Sequence, residues 1–205
     1  MDAIFQVVRR PKGDSGEVEV VLKRYRGKGQ STKVKALINH LRPLYMSREE
    51  KRPIKVVVFS QFTSFLDKIQ DELSIEGFNL LRFDGSMNQK SRADVLETFK
   101  QTEDSCIMLL SLKAGGVGLN LVCANRAYLM DPWWSYAVES QAIDRIHRMG
   151  QSSEVQIVRF IVEGSVEERM LKIQDRKKFL ATTLGLSEED KRAQRLEDIK
   201  TLFEM

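Results

Sequence analysis

The sequence predicts an open α/β fold, a parallel sheet with helices packed on it. Short apolar runs rich in β-branched residues alternate with amphipathic stretches, and the connections between them are short. Strands joined through crossover helices pair in parallel and are buried on both faces, which accounts for the continuous apolar runs. This alternation extends over residues 54–162 and is followed by a long charged helix outside the pattern.

The elements follow one another in a regular order. Apolar residues recur at helical spacing after Ser31, so we expect a helix to begin there. Gly77 is placed to end the next helix. The expected strands cover 54–59, 80–83, 106–110, 127–130 and 155–162, and the expected helices cover 31–45, 62–76, 89–99, 136–149, 165–181 and 188–203. The last two helices do not fit the α/β alternation, so we expect them to strap across the core or to reach another domain.

The first 30 residues have the glycine and proline content of a linker, except that the alternating run 18–22 could form an edge hairpin. The expected organisation is therefore a basic arm at 1–30, an α/β lobe at 31–163 and C-terminal brace helices at 164–205. Residues 1–55 hold 14 basic and 6 acidic side chains, against 19 and 23 in the remainder. A basic arm is compatible with nucleic-acid binding, and equally with a solvated linker.

Composition excludes several classes of protein. The chain has 205 residues, 42% of them hydrophobic, and a net charge of +4, which argues against disorder. Cys106, Cys123, His40 and His147 are too few and too scattered for a zinc site or a disulfide scaffold. No apolar stretch is long enough to span a membrane and no secretory leader opens the sequence, so we expect an intracellular protein without membrane contact.

Ligands of open α/β sheets bind beyond the carboxyl ends of the strands, so the loops there are the first candidates for a site. Ser60, Gln61 and Phe62 follow the first strand of the alternation, where they could reach a ligand or simply start a helix. The segment 84–89 follows the next strand. Its Ser86 and a glutamine three residues later form a predicted capping box, and a helix N-terminus with a hydroxyl can also bind phosphate.

The segment 111–120 is rich in glycine, which lets backbone amides approach a ligand closely or merely allows a tight turn. It is neither a Walker phosphate loop nor a dinucleotide fingerprint. Further along, Gln141, Arg145 and Arg148 share one face of the expected helix 136–149. Two arginines and a glutamine at the mouth of the sheet suit a phosphoryl-transfer site, although Asp144 could instead pair with Arg148 on the surface.

Adjacent tryptophans, Trp133 and Trp134, leave the strand at 127–130. Neighbouring side chains of an extended segment point to opposite sides, so we expect one of the two in the core and the other exposed. An exposed tryptophan near basic residues could stack on a base or sugar.

These segments, in this order, resemble the C-terminal half of Swi/Snf-type ATP-dependent DNA translocases of the second helicase superfamily. The matching pieces are VVVFSQF (56–62), RFDGSM (82–87), LLSLKAGGVGLNL (109–121), LMDPWW (129–134) and QAIDRIHRMGQ (141–151). The resemblance covers about residues 31–183, and SLKAGGVGLNL with DPWW is most similar to the subgroup of the helicase-like transcription factor and its fungal post-replication-repair relatives. Tyr136 departs from the proline that is usual in this loop.

The resemblance implies a RecA-like second helicase lobe, in which Arg145 and Arg148 act as arginine fingers on the γ-phosphate of ATP and Gln141 lines the same cleft. Gly116 and Gly118 would shape the loop that couples the cleft to DNA, and Gly116, Gly118 and Asn120 would also take part in binding the nucleotide. The positions that match contacts to double-stranded DNA are Ser60, Gln61, Ser86, Ser111, Lys113 and Trp134. The resemblance also implies a nuclear location and, as partners, the N-terminal lobe and chromatin or replication-fork proteins.

The sequence contains no Gly-Lys-Thr/Ser loop and no Asp-Glu-x-His box, which hold the nucleotide and Mg²⁺ in the first lobe of this family. ATP with Mg²⁺ would therefore be held mainly by another lobe, and the chain would be one half of a motor. It also lacks the cysteines and histidines of the RING finger that subgroup members carry. Two alternatives are a non-catalytic scaffold lobe that binds DNA or protein, and a nucleotide-binding enzyme complete in itself. The retained arginines argue against the first, and the missing phosphate loop argues against the second.

Overall fold

The computed structural model describes residues 6–9, 17–22, 31–46, 53–114, 118–148, 151, 154–183, 197–198 and 200–201. The strands are β1 (Gln6–Arg9), β2 (Glu17–Leu22), β3 (Lys55–Ser60), β4 (Leu80–Phe83), β5 (Cys106–Ser111), β6 (Arg126–Leu129) and β7 (Gln156–Val162). The helices are α1 (Thr32–Met46), α2 (Thr63–Ile75), α3 (Gln89–Gln101), α4 (Tyr136–Ile143) and α5 (Val166–Thr183).

Within these ranges the strands form one sheet in the order β1-β2-β7-β6-β3-β5-β4. Every neighbouring pair is parallel except β1 and β2. The chain builds β4 and β5 on one side of β3 and then crosses to build β6 and β7 on the other. Such a reversal opens a crevice at the carboxyl ends of the strands, where ligands of open α/β sheets bind. The predicted parallel α/β fold is confirmed.

Part of the expected linker belongs to this sheet. β2 contains the alternating run and pairs with β1 in an antiparallel hairpin, as its pattern predicts. β2 also pairs in parallel with β7, where Val20 lies opposite Phe160. Residues 6–9 and 17–22 are therefore part of the sheet rather than of a linker, because their backbone groups are paired with neighbouring strands. The other residues of 1–30 lie outside the described part of the chain.

Helices cover both faces of the sheet. Successive residues of β3 point to opposite faces, so Val56 and Val58 pack against one apolar cluster and Val57 and Phe59 against another. The first cluster contains the buried faces of α1 and α2, and the second contains residues of α3 and α4. All six residues of β3 are buried, which explains the apolar run 56–59 between its polar end residues.

The structure confirms the predicted end of α2 and corrects the predicted start of α3. α2 ends next to Gly77, whose φ of 80° lies in the left-handed region that glycine adopts easily, as predicted. The predicted capping box of Ser86 and Gln89 is wrong. α3 is capped instead by Asn88, whose side chain accepts a hydrogen bond from the Ser91 N–H at 2.8 Å. Because α3 begins at Gln89, Ser86 lies two residues before the N-cap position, and its hydroxyl donates to Asp84 Oδ1 at 2.5 Å.

The last expected helix, 188–203, lies mostly outside the described residues; of it, 197–198 and 200–201 are helical. Among the helices that the structure describes, none combines the length and the apolar character needed to cross a membrane.

Gly77 and Gly85 offer a matched test of the backbone argument. Among the described residues, no atom beyond the glycine and its two neighbours lies within 4 Å of a Cβ built at either position, but of the two only Gly77 has a positive φ. We expect Gly77→Ala to lower the free energy of unfolding by about 1 kcal/mol, because alanine is strained in the left-handed region. Gly85→Ala is expected to have a much smaller effect. Urea unfolding of both variants checks this, and equal losses would contradict the assignment of strain to φ.

Candidate functional site

The loops that follow β3, β5 and β6 meet at one edge of the sheet. Ser60 and Ser111, the last residues of β3 and β5, lie opposite each other in register. The Leu112 N–H donates to Ser60 O at 3.0 Å, and on the other side the Met130 N–H donates to Phe59 O at 2.9 Å. The predicted convergence of the loops is therefore present in the structure.

Three of the polar residues predicted near DNA are buried. Ser60 is 0% exposed, Gln61 is 6% exposed and Ser111 is 3% exposed. The Gln61 N–H donates to Asp131 Oδ2 at 2.7 Å, and Ser60 Oγ accepts from the Phe62 N–H at 3.1 Å. The Gln61–Asp131 contact joins the loops after β3 and β6, and all three residues present little side-chain surface to a ligand.

The loop between β4 and α3 is built around Asp84. Its carboxylate accepts from the Ser86 hydroxyl and from Arg82 Nε, and these contacts, the Ser86 bond foremost, lower the pKa of Asp84. Arg92 of α3 donates to Gly85 O at 2.9 Å while its guanidinium lies 5.8 Å from the centre of the Phe83 ring. Ser86 is exposed, so it remains available to a ligand at this edge.

The glycine-rich loop after β5 is described on both sides of its centre, and Gly116 lies in the undescribed part. Lys113 is exposed. Gly118 has a φ of 39°, in the left-handed region. Asn120 is exposed, and its Oδ1 accepts from the Val122 N–H at 3.3 Å.

The arginine segment differs from its prediction. α4 ends at Ile143, so Gln141 is helical whereas Arg145 and Arg148 lie in the turns that follow. The three side chains therefore do not share the face of a single helix. The chain tightens here because the Ile146 and His147 N–H groups both donate to Ile143 O.

The turns after α4 lie beside the end of the glycine-rich loop. Gln141 and Arg148 are exposed, Arg145 is half-buried, and its Nε is buried without a hydrogen-bond partner among the described residues. The Leu121 N–H donates to Arg145 O at 2.9 Å, which joins the arginine segment to the end of the glycine-rich loop. Arg145 therefore lies beside the residues that lead from the glycine-rich loop into β6.

Gln151 strengthens this junction, and sequence reasoning assigned it no role of its own. Its Nε2 donates to Val122 O at 3.0 Å and to Ala124 O at 2.8 Å. The signal was its place at the end of the HRMGQ block. A side-chain amide that bridges two segments in this way is visible only when the tertiary structure is known.

The two tryptophans follow their prediction in part. Trp134 is 40% exposed, while Trp133 is half-buried without entering the core fully. The backbone before them is held by Lys33 of α1, whose Nζ donates to Met130 O and to Glu167 Oε1, both at 2.6 Å. Burial lowers the pKa of Lys33 and the Glu167 carboxylate opposes that shift. Burial likewise raises the pKa of Asp131.

Lys33→Met tests how much this buried contact contributes. Methionine retains the apolar stem but removes the charge, so Glu167 loses its cation and Met130 O loses its donor. Because Glu167 is itself 20% exposed, we expect a loss of about 2 kcal/mol in the free energy of unfolding, less than for a fully buried pair. Lys68→Met, at an exposed position of α2, is the control. Equal stability of the two variants would show that the Lys33 contact is energetically neutral.

The fold and these loops define a class of protein, a RecA-like lobe. Glycines and an exposed tryptophan follow its parallel strands, and two arginines follow α4. The model of the family described as "Helicase conserved C-terminal domain" matches residues 32–150. The chain belongs to this helicase C-terminal family.

Individual relatives show which members of this family the chain is similar to. The chain is 54% identical to "DNA repair protein rad5" of Neurospora crassa over 98% of its own length and 17% of that protein. It is 54% identical to "DNA repair protein rad8" of Schizosaccharomyces pombe over 91% of its length and 16% of that protein. The chain thus spans about a sixth of these relatives. They confirm the resemblance to the Swi/Snf-type subgroup with fungal repair members.

A solved structure shares the fold. The crystal structure of the C-terminal part of the Fun30 ATPase domain aligns with a TM-score of 0.69 and 31% sequence identity, covering 86% of this chain and 55% of that one. The RecA-like fold predicted from the sequence is confirmed by this similarity.

Proposed function

We propose that the chain is the second ATPase lobe of a double-stranded-DNA translocase in the nucleus, of the chromatin-remodelling or the DNA-damage-tolerance and fork-remodelling type. The observation that carries this proposal is the hydrogen-bonded junction between Arg145 and the end of the glycine-rich loop. It places the segment of two arginines beside the end of the glycine-rich loop, which itself begins at the carboxyl end of β5. A scaffold lobe would have no need of arginines at this place.

Arg145 and Arg148 suit the phosphates of a nucleotide held by a facing lobe. Guanidinium groups bind phosphate oxygens bidentately and neutralise the charge that develops during phosphoryl transfer. Arg145 has a buried Nε without a partner, and Arg148 is exposed, so both retain donors for an oxygen ligand. Gln141, Gly116, Gly118 and Asn120 would line the same cleft.

ATP brings Mg²⁺, and in the ranges that the structure describes no group of three or more His, Cys, Asp or Glu side chains could hold a metal ion. We propose that the facing N-terminal lobe holds the metal and most of the nucleotide, and that this chain contributes charge stabilisation. Opening and closing of the two lobes would then move them along one strand of the duplex.

The contacts to DNA divide into two kinds. Lys113, Ser86 and Trp134 are exposed and are proposed to touch the backbone or a base directly. Ser60, Gln61 and Ser111 are buried, so we propose that they act at DNA mainly through the loops that they hold in place. Chromatin or replication-fork proteins are the further partners proposed for the parent protein.

ATP turnover tests the arginine assignment. In a protein that contains both lobes, we expect Arg148→Ala to lower DNA-stimulated turnover by a factor of about 10³, as for other arginine fingers, while DNA affinity stays nearly unchanged. The 205-residue chain alone is expected to be inactive, because its arginines only stabilise a phosphate held elsewhere.

The matched control is His147→Ala, since His147 is exposed in the same turn. If both substitutions leave turnover unchanged, Arg148 is not a finger. Absence of DNA-stimulated turnover in the folded two-lobed wild type would favour the scaffold function.

Salt titration tests the proposed phosphate contact of Lys113. A lysine that neutralises a phosphate releases counterions, so Lys113→Ala should weaken duplex binding and reduce the slope of log affinity against log salt by about 1. Lys68→Ala, on the exposed side of α2, is expected to leave the slope unchanged. Fluorescence anisotropy with a labelled duplex measures both, and an unchanged slope for Lys113→Ala would remove it from the DNA contacts.

A further inference from the structure

A buried cluster of polar side chains lies behind the two tryptophans, and the proposed function does not use it. It consists of Glu139 of α4, Arg159 of β7 and Gln174 of α5, and is called here the Trp-loop cluster. Glu139 is 0% exposed, Arg159 is 5% exposed and Gln174 is 2% exposed. Burial of two charged groups and an amide is costly unless they are paired with one another.

The members of the cluster satisfy one another. Arg159 Nη2 donates to Glu139 Oε2 at 2.8 Å, and Gln174 Nε2 donates to Glu139 Oε1 at 2.8 Å. Burial raises the pKa of Glu139, and the Arg159 guanidinium is the main influence against it. The Glu139 carboxylate thus joins α4 to α5 and β7, although 35 residues separate Glu139 from Gln174 along the chain.

The cluster also binds the backbone of Trp133 on both sides. The Trp133 N–H donates to Glu139 Oε1 at 2.5 Å, and Trp133 O accepts a hydrogen bond from Gln174 Nε2. When the N–H and the C=O of one residue are both held, the direction of the chain at that residue is fixed. The next residue is Trp134, the exposed aromatic side chain of the edge.

α5 carries a second set of contacts close to Gln174. Two residues further along, Arg176 binds Asp198, and Lys177 Nζ lies 3.0 Å from Asp198 Oδ2. α5 is therefore joined to the backbone of Trp133 through Gln174 and to Asp198 through Arg176. A shift of α5 would move both contacts together.

We propose that Gln174 is a positioning residue through which α5 sets the conformation of the loop 131–135 and the orientation of Trp134. α5 thereby controls how the edge of the sheet meets DNA. Its effect on DNA binding rests on the proposed function, whereas its effect on the loop does not.

The chain reports on this loop directly, because its only two tryptophans are Trp133 and Trp134. Gln174→Met removes both hydrogen bonds of the amide while keeping a side chain of similar length. We expect the tryptophan emission of the folded variant to shift to the red and its quenching by acrylamide to increase. In a Trp133→Phe background the same changes report on Trp134 alone.

Two controls separate positioning from general loss of stability. Gln70→Met makes the same replacement at an exposed position of α2, and Gly77→Ala lowers stability at the end of that helix. Both are expected to keep the wild-type emission in the folded state. If Gln174→Met does not fold by circular dichroism, Gln174→Asn replaces it, since its shorter amide fails to span both partners.

The outcomes are distinct. Unchanged emission and quenching in the folded Gln174 variant would overturn the inference. A change in emission together with weaker binding of a labelled duplex, matching the loss in Trp134→Ala, would support it in full. A change in emission with unaltered duplex affinity in both Gln174→Met and Trp134→Ala would uphold the positioning of the loop and remove Trp134 from the proposed DNA contacts.

Discussion

The structure depends first on the pairing of β3 with β5 on one side and β6 on the other. All six residues of β3 are buried, and its apolar side chains belong to core clusters on both faces of the sheet. Because all three strands run in parallel, their pairing brings their carboxyl ends to one edge. The loops that follow these three strands are near one another for that reason.

Buried polar contacts then give these loops their shape. Asp131 holds the backbone of Gln61, Lys33 holds the backbone of Met130, and the Trp-loop cluster holds both backbone groups of Trp133. The contacts of Asp131, Lys33 and Gln174 join segments 70, 97 and 41 residues apart, whereas Glu139 lies 6 residues from Trp133. The contacts of Asp131 and Lys33 are buried, and hydrogen bonds are stronger in such surroundings than in water. The exposed groups of the edge are presented by a rigid support. This arrangement suits the proposed contacts to a nucleotide and a duplex.

Local sequence patterns predicted strands and helix ends well where the burial or the backbone freedom of the same residues causes the structure. The apolar runs of β3 and β5 and the stop at Gly77 follow from burial and from backbone freedom. Prediction was less successful at α4 and at the start of α3. There, hydrogen bonds to distant or neighbouring groups decide the geometry, as Arg145 O accepting from Leu121 and Ser86 binding Asp84 illustrate. Local spacing carries no information about such competition.

The sequence by itself determined the fold class, the order of the central elements and the family, because periodicity, glycine placement and the HRMGQ block are local properties of the chain. Only the tertiary structure decided that Ser60, Gln61 and Ser111 are buried, that part of the arm joins the sheet, and that Arg145 and Arg148 leave the helix. It also decided which side chains form the Trp-loop cluster. Burial and pairing across long stretches of chain depend on which surfaces meet, and that is settled when the helices pack on the sheet.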